Sequence, residues 1–248
     1  MPKITLNLIL KGKDGMVLAS DSRGTFGDPR GVTAQNDNMK KLYGLSKYVG
    51  VVLAGTGEIG ATIMDEIQKE IKKTKPPTEG ITPVMEKFRN LLVKRYNEWF
   101  PNFAVAPVQG LKFPLRPTLI LQIGGYEVDG EGKPTTEQKI ISLNCHQNFA
   151  PMLHDYGYGL NGVAQYALYL LNRLYVPNLS VEKLLPLGAY VITETASQDG
   201  KVGGPVQLMK ILPSTGCVML KHEEINKILE DNNLRSEKLR QSFLGEKK

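Results

Sequence analysis

Two β-rich runs, residues 4–11 and 15–21, are joined by Gly12-Lys13-Asp14-Gly15. An Asp-Gly pair between such runs is a strong hairpin signal, so this part of the chain is committed to an antiparallel sheet. A second pair of strand-like segments, 41–43 and 48–54, flanks residues 44–47 and follows a loop rich in Gly, Pro, Asn and Asp. The period then changes. Ile59, Ile63, Ile67 and Ile71 recur every four residues with Lys and Glu between them, which predicts an amphipathic helix. Pro76-Pro77 end it. Val84, Phe88, Leu91, Leu92, Tyr96 and Trp99 predict a second helix, with Thr82 as its capping residue.

The second half repeats the order without repeating the residues. Strands are expected at 118–126 and 139–143, helices near 162–175 and 180–197, strands near 206–212 and 217–220, and a terminal helix. Paired strands alternating with paired helices suit an α+β fold: a four-layer αββα sandwich of two antiparallel sheets flanked by helices. No linker divides the chain, so residues 1–248 are expected to form one domain. The proline-rich stretch 101–117 is expected to be an exposed connection, and 235–248 a basic C-terminal tail.

Composition excludes several classes of function. The chain has 248 residues, 41% of them hydrophobic, enough for a substantial core. Its longest apolar runs fall far short of the roughly 20 residues that a membrane-spanning helix needs. The first residues lack a secretory pattern, and two cysteines do not make a disulfide framework, so the cytoplasm is the expected compartment. The net charge of +6 is spread along the sequence and mixed with acidic residues, which argues against nucleic acid as a partner. His146, His154 and His222 show no regular metal spacing; Cys145-His146 comes nearest to a ligand pair. Gly55-Thr56-Gly57-Glu58-Ile59-Gly60 matches a dinucleotide fingerprint, but a second helix follows where a Rossmann unit requires a strand.

Residues 14–23, Asp-Gly-Met-Val-Leu-Ala-Ser-Asp-Ser-Arg, closely resemble the start of proteasome β-subunits and the related bacterial HslV peptidases. In that N-terminal-nucleophile hydrolase family an aspartate and an arginine stand at the places of Asp21 and Arg23. Counting back without a gap puts Thr5 at the nucleophile position. Lys40-Lys41-Leu42 is similar to the family's Lys-Lys-Ile element, if the 31–38 loop carries a few extra residues, and makes Lys41 the candidate catalytic lysine. Leu53-Ala54-Gly55 resembles the oxyanion-hole turn. Residues 198–204 resemble the late motif whose aspartate, here Asp199, supports the site. The resemblance covers about 4–212 and is strongest over its first 60 residues.

The resemblance implies a threonine-type peptidase. A threonine hydroxyl is a weak nucleophile that a free α-amine of the same residue can activate, so residues 1–4 would be a propeptide removed to expose Thr5. Asp21 would keep Lys41 charged, and that charge would lower the pKa of the nearby amine. The Gly55 N–H would hold the developing oxyanion, while Arg23 and Asp199 support the geometry. No metal or organic cofactor is implied. The implied partners are a peptide or unfolded-protein substrate, further copies of the chain in a homo-oligomeric ring, and an ATP-dependent unfoldase.

Three positions depart from the family pattern. Ile4 precedes Thr5 where self-processing subunits carry glycine. Tyr158, or Gly162 on another alignment, and Val202 stand where supporting serines are expected. These changes keep two other readings open: a non-catalytic ring subunit, and a related amidase or peptide ligase with the same acyl chemistry.

Overall fold

The computed structural model describes residues 5–27, 33–73, 79–100 and 117–245. The first half contains β1 (Leu6–Lys11), β2 (Met16–Ser20), β3 (Gly24–Gly27), β4 (Thr33–Asn36), β5 (Leu42–Ser46), β6 (Val49–Gly55), α1 (Gly57–Lys73) and α2 (Ile81–Trp99). The second half contains β7 (Leu119–Val128), β8 (Pro134–Asn144), β9 (Met152–Leu153), β10 (Tyr158–Gly162), α3 (Ala164–Leu174), α4 (Val181–Gln198), β11 (Gln207–Leu212), β12 (Gly216–Met219) and α5 (His222–Leu244).

Two five-stranded antiparallel sheets stack. The first has the order β10-β1-β2-β11-β12 and the second β5-β6-β7-β8-β9. Three apolar layers hold the stack together. Ile9, Met16, Leu18, Val52, Ile140 and Met209 fill the space between the sheets. Helices α1 and α2 cover the second sheet through Ile63, Ile67, Phe88 and Leu92. Helices α3, α4 and α5 cover the first through Leu171, Leu184, Ile192 and Ile225. Each fully buried aliphatic side chain contributes about 1.5–3 kcal/mol relative to exposure. The expected αββα sandwich is therefore what the chain forms.

Local differences from the expected pattern have physical causes. The loop before Lys41 contains a two-stranded ribbon, in which Gly24 to Gly27 pair with Asn36 to Thr33. The short strands β9 and β10 carry too few residues to show a period. Helix α2 is capped by Gly80, not Thr82: Gly80 has extended backbone, and the Thr82 hydroxyl turns away to donate to Glu127. Residue 235 marks no boundary, because α5 runs unbroken to Leu244. The 1–4 segment, most of the proline-rich stretch and residues 246–248 lie outside the described residues. The fingerprint glycines do join a strand to a helix, yet β7 pairs antiparallel with β6, which a βαβ unit does not allow.

Two corners where a strand turns into a helix are built alike. At the end of β6, Gly55 has φ +116° and the next residue, Thr56, donates its N–H to the Thr118 carbonyl at 2.8 Å. At the end of β10, Gly162 has φ +101° and Val163 donates to the Thr5 carbonyl at 2.7 Å. A Cβ on Gly162 would lie 1.7 Å from that carbonyl oxygen. Gly162→Ala is therefore predicted to cost about 3 kcal/mol or more in denaturant unfolding. Gly130→Ala, in open space, should stay within about 0.5 kcal/mol of the parent.

Candidate active site

Thr5 immediately precedes β1 and Asp21 immediately follows β2, so the hairpin pairing that the Asp-Gly turn initiates brings the two together at one end of the first sheet. The Thr5 hydroxyl donates to Asp21 Oδ1 at 2.5 Å. Lys41, just before β5 in the second sheet, inserts its ammonium between them. Lys41 Nζ donates to Thr5 Oγ1, to Asp21 Oδ1 at 2.6 Å and to the Arg23 carbonyl at 2.7 Å. All three donors of an ammonium are thereby used.

These groups are withdrawn from water: Thr5, Asp21 and Lys41 are 4%, 0% and 6% exposed. Burying charge is tolerable only when it is paired and hydrogen-bonded. Asp21 meets that condition five times. Oδ1 also accepts the Leu6 N–H at 3.1 Å, and Oδ2 accepts the Gly203 and Arg23 N–H groups at 3.1 and 3.2 Å. Burial pushes the Lys41 ammonium below its ordinary 10.5, against the attraction of Asp21 and Asp37, which acts to keep it charged. A hydroxyl oxygen facing a cation, with its proton on a carboxylate, is polarised toward proton loss. In the uncut chain the nitrogen of Thr5 is a peptide nitrogen and no base, so the arrangement becomes a proton acceptor only once that nitrogen is freed.

The other sequence candidates take different places. Arg23 contributes its backbone to the cluster, while its guanidinium points to Asp37 in a two-point ion pair at 2.7 and 2.8 Å. That pair holds Asp37 below the usual carboxylate range. Gly55 ends β6 two residues beyond Leu53, whose N–H bonds the Lys41 carbonyl at 3.0 Å and whose carbonyl accepts from Asn7 at 2.9 Å. Asp199 is not brought into the cluster. Its carboxylate accepts the Lys201 N–H at 2.9 Å at the end of α4, shaping the turn that delivers the Gly203 N–H to Asp21 and the Gly200 carbonyl to Arg23.

Of the two alignments for a supporting serine, only Gly162 lies beside Thr5, opposite Leu6 in the strand register. Tyr158 sits opposite Leu10 and hydrogen-bonds Asn172 at 2.7 Å. Val202 is packed into the apolar layer under the helices. Among the described residues no group of three or more His, Cys, Asp or Glu is placed to hold a metal ion. His154 shares a 2.6 Å hydrogen bond with Ser142, and Cys145 accepts the Leu119 N–H at 3.2 Å. Among the described residues no helix is long and apolar enough to cross a membrane.

Asp37 and the carbonyl of Arg23 were not legible as site groups, the latter because it acts through the main chain, which sequence spacing does not report. Gly203 lies in the late motif of residues 198–204, and adjacent glycines there permit close backbone approach.

Comparison with known proteins finds similarity to one family. The family described as proteasome subunit matches residues 8–111. A proteasome subunit beta of Methanococcus vannielii is 24% identical over 227 residues, covering 91% of this chain and 90% of the relative. One from Archaeoglobus profundus is 25% identical over 233 residues, covering 92% and 93%. A third, from Gordonia bronchialis, is 26% identical over 209 residues, covering 82% and 64%.

Two predictions follow from the buried charges. Asp21→Asn exchanges a five-fold acceptor for a group that also donates, leaving the Lys41 charge uncompensated; unfolding free energy should fall by about 3–5 kcal/mol in denaturant titration. An unfolded lysine keeps its proton up to its ordinary 10.5, whereas Lys41 in the folded chain releases it earlier. Over the alkaline window below 10.5 the unfolded state binds more protons, so stability from this group rises with pH. Lys41→Met should flatten that slope, as read from denaturation at a series of pH values.

Proposed function

We propose that this chain is a threonine-type peptidase resembling proteasome β-subunits, folded as one domain and acting in the cytoplasm. Removal of residues 1–4 would expose the amine of Thr5. The observation that carries the reading is the Thr5 hydroxyl held between Asp21 Oδ1 and Lys41 Nζ.

In the proposed reaction the freed Thr5 amine takes the hydroxyl proton as Oγ1 attacks a peptide carbonyl carbon. The carbonyl π pair moves to oxygen, where the Gly55 N–H stabilises it; one such donor is worth about 2.7–4 kcal/mol of barrier. The amine then returns the proton to the leaving nitrogen as the C–N bond breaks, leaving an ester on Thr5. A water, deprotonated by the same amine, attacks this ester and regenerates the hydroxyl. Lys41 remains cationic beside the reacting oxygen and holds down the basicity of the amine, with Asp21 balancing its charge. Arg23 fixes the cluster through its carbonyl and N–H, and Asp199 acts at one remove by shaping the turn at Gly203.

The similarity to proteasome β-subunits also supports assembly into a homo-oligomeric ring that confines peptide or unfolded-protein substrates, fed by an ATP-dependent unfoldase. Two observations favour a second reading, a ring subunit that cuts nothing. Val202 fills apolar space where a supporting hydroxyl is expected, and Ile4 replaces the small residue that eases self-cleavage.

Intact mass and N-terminal sequencing of untagged protein separate the two. A chain beginning at Thr5, with peptide hydrolysis that Thr5→Ala abolishes at unchanged oligomeric state, is the expected result. Hydrolysis surviving Thr5→Ala overturns the peptidase assignment, and retention of Lys3-Ile4 gives the structural reading the lead.

A further inference from the structure

Four polar side chains run in a row across the first sheet. The strand registers place Asn161 opposite Asn7, Asn7 opposite Ser20, and Ser20 opposite Gln207. Directly opposed residues of antiparallel strands share a face, and this face looks onto the second sheet. Asn7 Nδ2 reaches across to the Leu53 carbonyl at 2.9 Å, while its Oδ1 accepts from Ser20 Oγ at 2.6 Å. Further along the row, Gln207 Nε2 donates to the Met39 carbonyl at 2.6 Å and its Oε1 accepts the Lys41 N–H at 3.1 Å. A single side-chain amide thus grips the main chain on both sides of Lys40, as a neighbouring strand would.

The placement matters because the site is divided between sheets. Thr5 and Asp21 belong to the first, Lys41 to the second, and 20 residues of chain separate Asp21 from Lys41. Gln207 pairs with Ser20, the residue next to Asp21, and so refers the Lys41 main chain to the strand that carries the carboxylate. On its other side the Lys41 carbonyl is held by the Leu53 N–H. We infer that Gln207 is a positioning residue for Lys41, fixing where its ammonium stands between Thr5 and Asp21 without touching either. The inference rests on the role proposed for Lys41. Glutamine is suited to the task, since its amide offers one donor and one acceptor side by side. Glutamate would turn an acceptor toward the Met39 carbonyl, and methionine offers neither bond at similar length.

The test uses the full chain with ¹⁵N-labelled lysine, the Lys41 Nζ resonance being assigned by its loss in Lys41→Arg. The charged groups around it are Asp21, Asp37 and Arg23. In Gln207→Met the Lys41 ammonium should titrate closer to an ordinary lysine as its main chain loosens and water enters. Thr5-dependent turnover should fall by up to about 100-fold with KM little changed. Should Gln207→Met fail to fold, Gln207→Leu, which also removes both bonds without adding a charge, serves instead and is read in the same way. A folded variant whose Lys41 titration coincides with that of the parent overturns the inference. The titration does not depend on turnover, so it decides the role of Gln207 even if Thr5→Ala shows that the peptidase reading is wrong.

Discussion

The carboxylate of Asp21 is the point on which this end of the molecule depends. It is fully buried and takes hydrogen bonds from the residue before β1, the first residue of β1, the backbone after β2, the lysine before β5 and the turn after α4. No apolar side chain could collect those five donors, and each would be costly to leave unpaired in a closed interior. The same bonds that make the carboxylate tolerable also determine where Thr5 and Lys41 stand. Stability and proposed chemistry therefore draw on one group and cannot be tuned independently there.

Dividing the cluster between two stacked sheets has a second effect. The apolar layer between the sheets sets their separation but is non-directional, and it cannot fix a hydroxyl and an ammonium to fractions of an ångström. Directed bonds do that: Asn7 to Leu53, Gln207 to Met39 and Lys41, and the Gly203 amide to Asp21. They lie at the rim of the core, where the hydrophobic contacts of the sandwich give way to backbone ends that need partners.

The fold was legible wherever a period was long enough to be counted. Ile63 and Ile67 of the four-residue stripe lie buried against the second sheet, and the Asp-Gly turn does join β1 to β2. The β3–β4 ribbon and β10 were not legible, because strands of four or five residues carry no countable alternation, and β10 owes its pairing to β1, distant in the chain. Thr82 looked like a cap by residue type, but a cap is chosen by backbone conformation, and Gly80 held it. Thr5, Asp21 and Lys41 could be named only through the resemblance of residues 14–23 and 40–42 to proteasome β-subunits; the hairpin then explains why Thr5 and Asp21 meet, whereas Lys41 comes from the other sheet. Asp199 stood in the right motif yet acts through the turn that follows it. Gln207 gave no signal, since its partners are main-chain atoms more than 160 residues away.

The Thr5 carbonyl is gripped by Val163, the following Leu6 N–H by Asp21, and the hydroxyl by its two charged neighbours. Everything downstream of the Thr5 nitrogen is thus already seated while the preceding residues are still attached. Severing that one bond would ask for no rearrangement of what remains. On the proposed reading, maturation would be a subtraction, with the finished geometry carried inside the precursor like a cast inside its mould.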